Sequence, residues 1–124
     1  MAKFKVIENK ISLGETNIVK VQLMIHCFVK GIVLSSSELD CLTLLAKMGD
    51  WDLSDFCEVV VSEDIFSSSQ TVRNCIVKME RLGFIVKSGK SKKRVISINP
   101  SFNIVSSGNI FLNYKMFHVA TEKD

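Results

Sequence analysis

The sequence predicts a single α+β domain in which a series of helices runs into a strongly basic β-hairpin. Three observations carry this. Two serine-rich starts, at Ser35 and Ser67, each open a run of apolar residues at helical spacing. After Gly83 that spacing gives way to the alternation of strands. Charge is also sharply divided along the chain. Residues 31–69 hold one base, Lys47, against eight acids for a net −7, and residues 70–99 hold eight bases against Glu80 for a net +7.

The 124 residues amount to one domain, and 47% hydrophobic with 23% charged residues, one Pro and six Gly describes an ordered globular chain. Disordered tails, collagen-like chains and coiled coils are excluded, and a multidomain enzyme has no room. Lys20, Gln22, His26 and Lys30 interrupt the longest apolar stretches, so no membrane span is expected. Met1 to Lys10 has no apolar core followed by a small-residue cleavage site, so no secretory signal is expected either. Cys27, Cys41, Cys57 and Cys75 stand 14, 16 and 18 residues apart, each within an apolar run and without a C-x-x-C pair. His26 and His118 lie far apart. Buried free thiols in a reducing, cytoplasmic compartment are expected, with no disulfide framework, metal site or cofactor.

Taken in order, Phe4 to Leu13 reads as a short strand or hairpin arm within an N-terminal extension of about residues 1–16. Thr16 to Lys30 supports two periods. Ile18, Val21, Ile25, Phe28 and Val29 make a helical stripe, while Val19 to Val29 also alternates as a strand would; a helix suits the helical run after it better. Ile32 to Leu34 is a candidate third, small strand. Ser35-Ser36-Ser37-Glu38 is a capping box, Leu39, Leu42, Leu45 and Ala46 come next at helical spacing, and Gly49 is placed for a left-handed C-cap. This predicts a helix over 36–48.

Asp52-Leu53-Ser54-Asp55 starts another helix with Phe56, Val59 and Val60 facing inward, despite three consecutive β-branched residues. Ser67-Ser68-Ser69-Gln70 reads as a second capping box. It opens a helix over 68–82 with Val72, Cys75, Ile76, Met79 and Leu82 on one stripe, closed by Gly83 with Phe84 folding back on Met79. Phe84 to Lys87 and Arg94 to Ile98 then read as the arms of a hairpin over 84–99, turning at Ser88-Gly89-Lys90-Ser91. Pro100 stops the second arm and begins a C-terminal extension over 100–124. Within it, Ile110 to His118 is apolar enough for a strand or helix that packs elsewhere.

This order, a helical core over 36–83 followed by a basic hairpin, is the winged helix-turn-helix arrangement, with extensions at both ends. The run IFSSSQTVRNCIVKMERLGFIVKSGKSKKRVISIN, Ile65 to Asn99, resembles the recognition helix and wing of small DNA-binding proteins. It is similar to MarR-type regulators and to RepL-type replication initiators of plasmids and phages. The shared pattern is S-x-x-T-V-x-x-x-I-x-x-L-x-x-x-G-[FL]-I, with Met79 standing where Leu is commoner. Ile98-Asn99-Pro100 is similar to the RepL ending, without the tyrosine usual just before it. The resemblance is close over a third of the chain and loose over another third. It implies a partner, double-stranded DNA, and a role as transcriptional regulator or replication-initiation factor in the cytoplasm of a bacterium or phage-infected host.

On that reading the first half of the 68–82 helix enters the major groove. Gln70, Arg73, Asn74 and Val77 then suit base readout: Arg for guanine, Gln or Asn for adenine, a small apolar side chain for a thymine methyl. Ser67, Ser68 and Ser69, with the free amides of the helix start, suit a phosphate, as do Lys78 and Arg81. Lys87, Lys90, Lys92, Lys93 and Arg94 on the wing would track backbone phosphates or a minor groove. Each position also has a purely structural use. Gln70 would complete a capping box, Arg73 and Asn74 would be solvated, and the serines would only cap.

DNA-binding proteins of this kind commonly bind two half-sites as dimers, and the 16–30 and 110–119 segments are the candidate homodimer surfaces. The alternative is a structural or adaptor protein, for example a phage particle component, using the acidic 50–64 stretch as well as the basic wing for protein contacts. An enzyme is not expected. The sequence has no Gly-rich phosphate loop, no H-x-x-x-H, and no Ser or Cys near a histidine in a recognisable catalytic setting, so no catalytic residue and no small-molecule substrate are assigned.

Overall fold

Two glycines with positive φ, Gly31 (67°) and Gly83 (87°), divide the chain where helices must stop. The computed structural model describes residues 3–13, 15–89, 94–105 and 110–120. Strand β1 (Lys3–Leu13) is followed by α1 (Glu15–Lys30), α2 (Ser36–Met48), the two-residue strand β2 (Trp51–Asp52), α3 (Leu53–Ser62) and α4 (Ser69–Arg81). Strands β3 (Ile85–Ser88) and β4 (Val95–Ile98), a 3₁₀ turn (Pro100–Phe102) and β5 (Ile110–Ala120) complete it. The described residues thus form an α+β fold with four helices and a small antiparallel sheet in the order β2-β4-β3, a layout compatible with a winged helix. The strands β1 and β5 pair antiparallel as a separate ribbon, from Lys3 opposite Ala120 to Leu13 opposite Ile110.

Local chemistry explains most boundaries. The capping box of α2 forms as the sequence predicts: the Glu38 amide donates to Ser35 Oγ at 3.1 Å and the Ser35 amide to Glu38 Oε1 at 2.9 Å. Asp52 caps α3, its Oδ1 accepting from the Asp55 amide at 3.1 Å. After α4 the Phe84 amide reaches Met79 O at 2.9 Å and the Gly83 amide reaches Glu80 O at 3.0 Å, the two bonds of a Schellman ending. The same pair of bonds ends α1, from Ile32 to Cys27 O and from Gly31 to Phe28 O. Asn99 then ties the far end of the hairpin to the end of α4. Its side-chain amide donates to Gly83 O at 3.0 Å and its backbone amide to Phe84 O at 2.8 Å.

The core is one apolar cluster to which every helix contributes: Ile18, Val19 and Leu23 from α1, Leu42 and Leu45 from α2, Phe56 and Val60 from α3, and Val72, Ile76 and Met79 from α4. Phe84, Ile85 and Ile96 of the hairpin segment close it. All four cysteines are free and buried. No helix among the described residues is long and apolar enough to cross a membrane.

Two expectations need correction. Ile32 to Leu34 is not a strand; those residues are used in turning from the Gly31 ending of α1 into the α2 cap, and Val33 is left exposed. The third strand is instead Trp51–Asp52, paired with Ile96 and Val95. On α1 the stripe that marks the helix in the sequence lies mostly outward. Ile18 is buried, but Ile25, Phe28 and Val29 are exposed, because Val19, Leu23 and Cys27 take the inner face. Finally, Gly49 ends α2 with φ 81° but ψ −141°, outside the left-handed helical region, as the chain straightens directly into β2.

The open readings also resolve. The 16–30 segment is helix, and both the 4–13 and 110–118 segments are strand.

Candidate nucleic-acid interface

The N-terminus of α4 is set one residue later than the triple serine suggests. Ser68 is the N-cap, its Oγ accepting from the Thr71 amide at 3.2 Å and lying 2.8 Å from Thr71 Oγ1. Ser67 is therefore not the cap, and the reciprocal box with Gln70 does not form. The turn before it explains the shift. The Ile65 amide bonds to Val60 O at 3.2 Å, and Ile65 and Phe66 lie against the core, which leaves Ser67 outside the helix. Gln70 is consequently released from capping, and its Nε2 donates to Asn74 Oδ1 at 3.0 Å.

With Val72, Cys75, Ile76 and Met79 buried, the opposite face of α4 presents Gln70, Asn74, Val77 and Arg81, all exposed. They succeed one another at steps of four, three and four, one continuous stripe along the helix. Ser67, Ser68 and Ser69 are exposed at its start. Thr71 and Val72 are the first residues there whose amides bond to the cap, which leaves the Ser69 and Gln70 amides as the free donors of a helix start. Such a terminus carries partial positive charge suited to an anion.

The two bases flanking this stripe are turned away from it. Arg73, at the flank of the stripe, is half-buried and its Nη2 donates to Ser54 Oγ of α3 at 3.3 Å, so it braces the α3–α4 pair. Lys78 reaches Glu38 of α2, Nζ to Oε2 at 2.8 Å, and is likewise committed to protein. Burial raises the Glu38 carboxyl, but the Lys78 and Ser35 hydrogen bonds outweigh it and hold the group below its ordinary value.

On the hairpin, Lys87 is half-buried and 3.8 Å from Glu80, whereas Arg94 is exposed beside β4. Lys90, Lys92 and Lys93 lie outside the described residues. Among the described residues the face therefore consists of an uncharged stripe ending in Arg81, with Arg94 on the adjoining hairpin.

Sequence reasoning missed Ser54 as the partner of Arg73. It also missed the second partner of Glu38, whose capping role alone was visible. Nothing local signals either pairing, since both depend on how the helices cross. The exposed residues of α3 include Asp55 and Glu58, followed by Glu63 and Asp64 in the turn, so an acidic surface adjoins α4.

Beneath α4, Ser35, Glu38, Phe66, Thr71, Asn74, Cys75 and Lys78 line an open pocket of about 270 Å³. Cys75 at its base faces Cys41 of α2. The interaction between the two thiols, reinforced by burial, drives the Cys41 thiol upward, and the same interaction lowers Cys75 against the opposing effect of burial. Burial raises Cys27 and Cys57. Among the described residues no group of three or more His, Cys, Asp or Glu is gathered to hold a metal ion.

Comparison with protein-family models, with curated proteins and with solved structures finds no match for this chain.

Proposed function

We propose that the chain is a winged helix-turn-helix protein that binds duplex DNA, with α4 as the recognition helix and the β3–β4 hairpin as the wing, acting as a transcriptional regulator or replication-initiation factor. The observation that carries this reading is the exposed stripe Gln70, Asn74, Val77 and Arg81 on a helix followed directly by a basic hairpin. The order of elements α2, β2, α3, α4, β3 and β4, with the sheet arranged β2-β4-β3, supports it.

Asn74 and Gln70 carry amides that suit adenine, Val77 suits a thymine methyl, and Arg81 and Arg94 suit phosphates. The first-turn amides and the serines add an anion site at the major-groove end. Arg73 and Lys78 act as braces that fix the angle of α4. The chain is read as a binding module without catalytic residues or cofactor, working in a reducing compartment such as the cytoplasm, where its four thiols remain free.

Binding of fluorescent mixed-sequence duplexes to the native chain and to Asn74→Ala and Arg81→Ala variants tests this. Native binding that both variants weaken supports it, and native binding that neither variant changes contradicts it.

A second reading, a structural or adaptor protein such as a phage particle component, is favoured by one observation, the acidic surface of Asp55, Glu58, Glu63 and Asp64 beside α4. A protein partner with a basic face would be drawn there, where a phosphate backbone would be repelled.

A further inference from the structure

Cys41 of α2 and Cys75 of α4 stand against each other in the core, and they differ in access. Cys75 is 6% exposed and lines the open pocket beneath α4, whereas Cys41 is 1% exposed and does not line it. We propose that the two form a peroxide-responsive dithiol, which an oxidant of the hydroperoxide class converts reversibly to an intramolecular disulfide joining α2 to α4.

The meeting of the two helices places the pair. Glu38 of α2 and Lys78 of α4 are bound at 2.8 Å. Cys41 follows Glu38 by three residues and Cys75 precedes Lys78 by three, and residues at that spacing share a helix face. The ion pair and the thiol pair are thus successive links between α2 and α4. The two thiols already interact side chain to side chain, so the bond needs only the closure of neighbouring sulfurs to about 2.05 Å.

Environment divides the roles. The contact with Cys41 lowers the Cys75 thiol against the opposing effect of burial, while the same contact, with burial, raises Cys41. Cys75 is therefore both the reachable sulfur and the one more readily present as thiolate, the attacking form. Its thiolate attacks one peroxide oxygen and the O–O bond breaks. The leaving alkoxide or hydroxide takes up the proton that Cys75 gave up, and Cys75 becomes a sulfenic acid. Cys41 Sγ then attacks that sulfur: the S–S bond forms, the S–O bond breaks, and hydroxide leaves with the Cys41 proton as water. Two electrons pass from the sulfurs to the peroxide, and two thiols with one hydroperoxide give a disulfide, water and an alcohol or second water.

The other thiols lack this combination. Cys27 opens onto a groove, but that groove is apolar and burial raises its thiol. Cys57 is 1% exposed and raised by burial as well. In a reducing compartment a disulfide is transient, and a reachable thiol with a second thiol at its back suits a redox-sensing use.

Peptide mapping of the full chain tests the proposal. Cleavage after Lys20, Lys30, Lys47, Arg73 and Lys78 leaves each cysteine on its own peptide. The folded chain is treated with stoichiometric hydrogen peroxide, its remaining thiols are alkylated in denaturant, and it is digested without reductant. A Cys41–Cys75 cross-linked peptide pair is expected in chains that run at the single-chain mass, lost on treatment with dithiothreitol, with Cys27 and Cys57 recovered alkylated. In Cys41→Ser, a sulfenic acid at Cys75 is expected to persist and to be trapped by dimedone. In Cys75→Ser, Cys41 is expected to stay reduced. The proposal is overturned if the native chain gives no Cys41–Cys75 pair, if its disulfides join separate chains, or if Cys27 or Cys57 is oxidised in its place. The native chain alone decides this, whether or not the variants fold. No nucleic acid is present, so the outcome is independent of the DNA-binding reading.

Discussion

Glu38 of α2 serves two partners at once: Oε1 accepts from the Ser35 amide at 2.9 Å to complete a helix cap, and Oε2 meets Lys78 Nζ of α4 at 2.8 Å. One carboxylate thus couples the start of α2 to the last turn of the proposed recognition helix. This relation separates two effects that substitution can measure. Glu38→Gln can keep the cap, since Gln also serves in a capping box, and loses only the ion pair, a cost of about 0–1 kcal/mol. Glu38→Ala loses both and is expected to cost about 1–2 kcal/mol in urea unfolding. Equal losses in the two variants would contradict the double role.

The same carboxylate imposes a pH dependence. Its value in the folded chain lies below the ordinary 4.5, so the folded state favours the charged form. The stability it contributes is present in full above 4.5 and is lost as pH falls through the lowered folded value. Unfolding free energies of the native chain should therefore decline more steeply on acidification below 4.5 than those of Glu38→Gln. Parallel curves would remove Glu38 as the cause.

Gly83 isolates a backbone effect. A Cβ added there meets no atom within 4 Å, so the cost of Gly83→Ala is that of the 87° φ alone, about 1–2 kcal/mol. Asn tolerates this region better, and Gly83→Asn should lose less than Gly83→Ala. Thermal melts of the two variants check the order.

Thiol reactivity is set by the environment of each cysteine. Cys75 lines the open pocket beneath α4 and its thiol is lowered, whereas Cys27, Cys41 and Cys57 are raised. In the native chain a thiol-specific reagent is expected to modify Cys75 first, as read by peptide mass mapping. First modification at Cys27, Cys41 or Cys57 would contradict the assignment.

The substitutions on α4 should differ in kind. Asn74→Ala should relax preference at one base position by about 1–3 kcal/mol, while Arg81→Ala should weaken all sequences alike and reduce the salt slope by about 1. Binding to a panel of single-base operator variants distinguishes the two patterns.

Where a local motif suffices, the fold is legible in the sequence. The Ser35–Glu38 box, the Asp52 cap and the Gly83 ending each need only a few adjacent residues, and all three form. Legibility fails where several registers are locally equivalent. Any of Ser67, Ser68 and Ser69 can cap, and the seating of Ile65 and Phe66 on the core selects Ser68. Helix α1 fails for a related reason: apolar residues occupy both faces, so periodicity identifies a helix without saying which side is inside. The strand Trp51–Asp52 is too short to show a period.

Within the candidate interface, the exposed line of Gln70, Asn74, Val77 and Arg81 comes directly from helical spacing once the core face is known. The commitments of Arg73 to Ser54 and of Lys78 to Glu38 do not, because they join residues 19 and 40 apart in sequence.

Salt dependence tests the central claim most directly. The native chain and a Lys90→Ala/Lys92→Ala/Lys93→Ala/Arg94→Ala variant are titrated with duplex DNA over a range of salt concentrations. If the hairpin is a DNA wing, log affinity falls linearly with log salt at about −0.9 per phosphate neutralised, and the variant's slope is shallower by up to roughly four such increments. Absence of salt-dependent binding by the native chain at low salt, or identical slopes for the two chains, would contradict it.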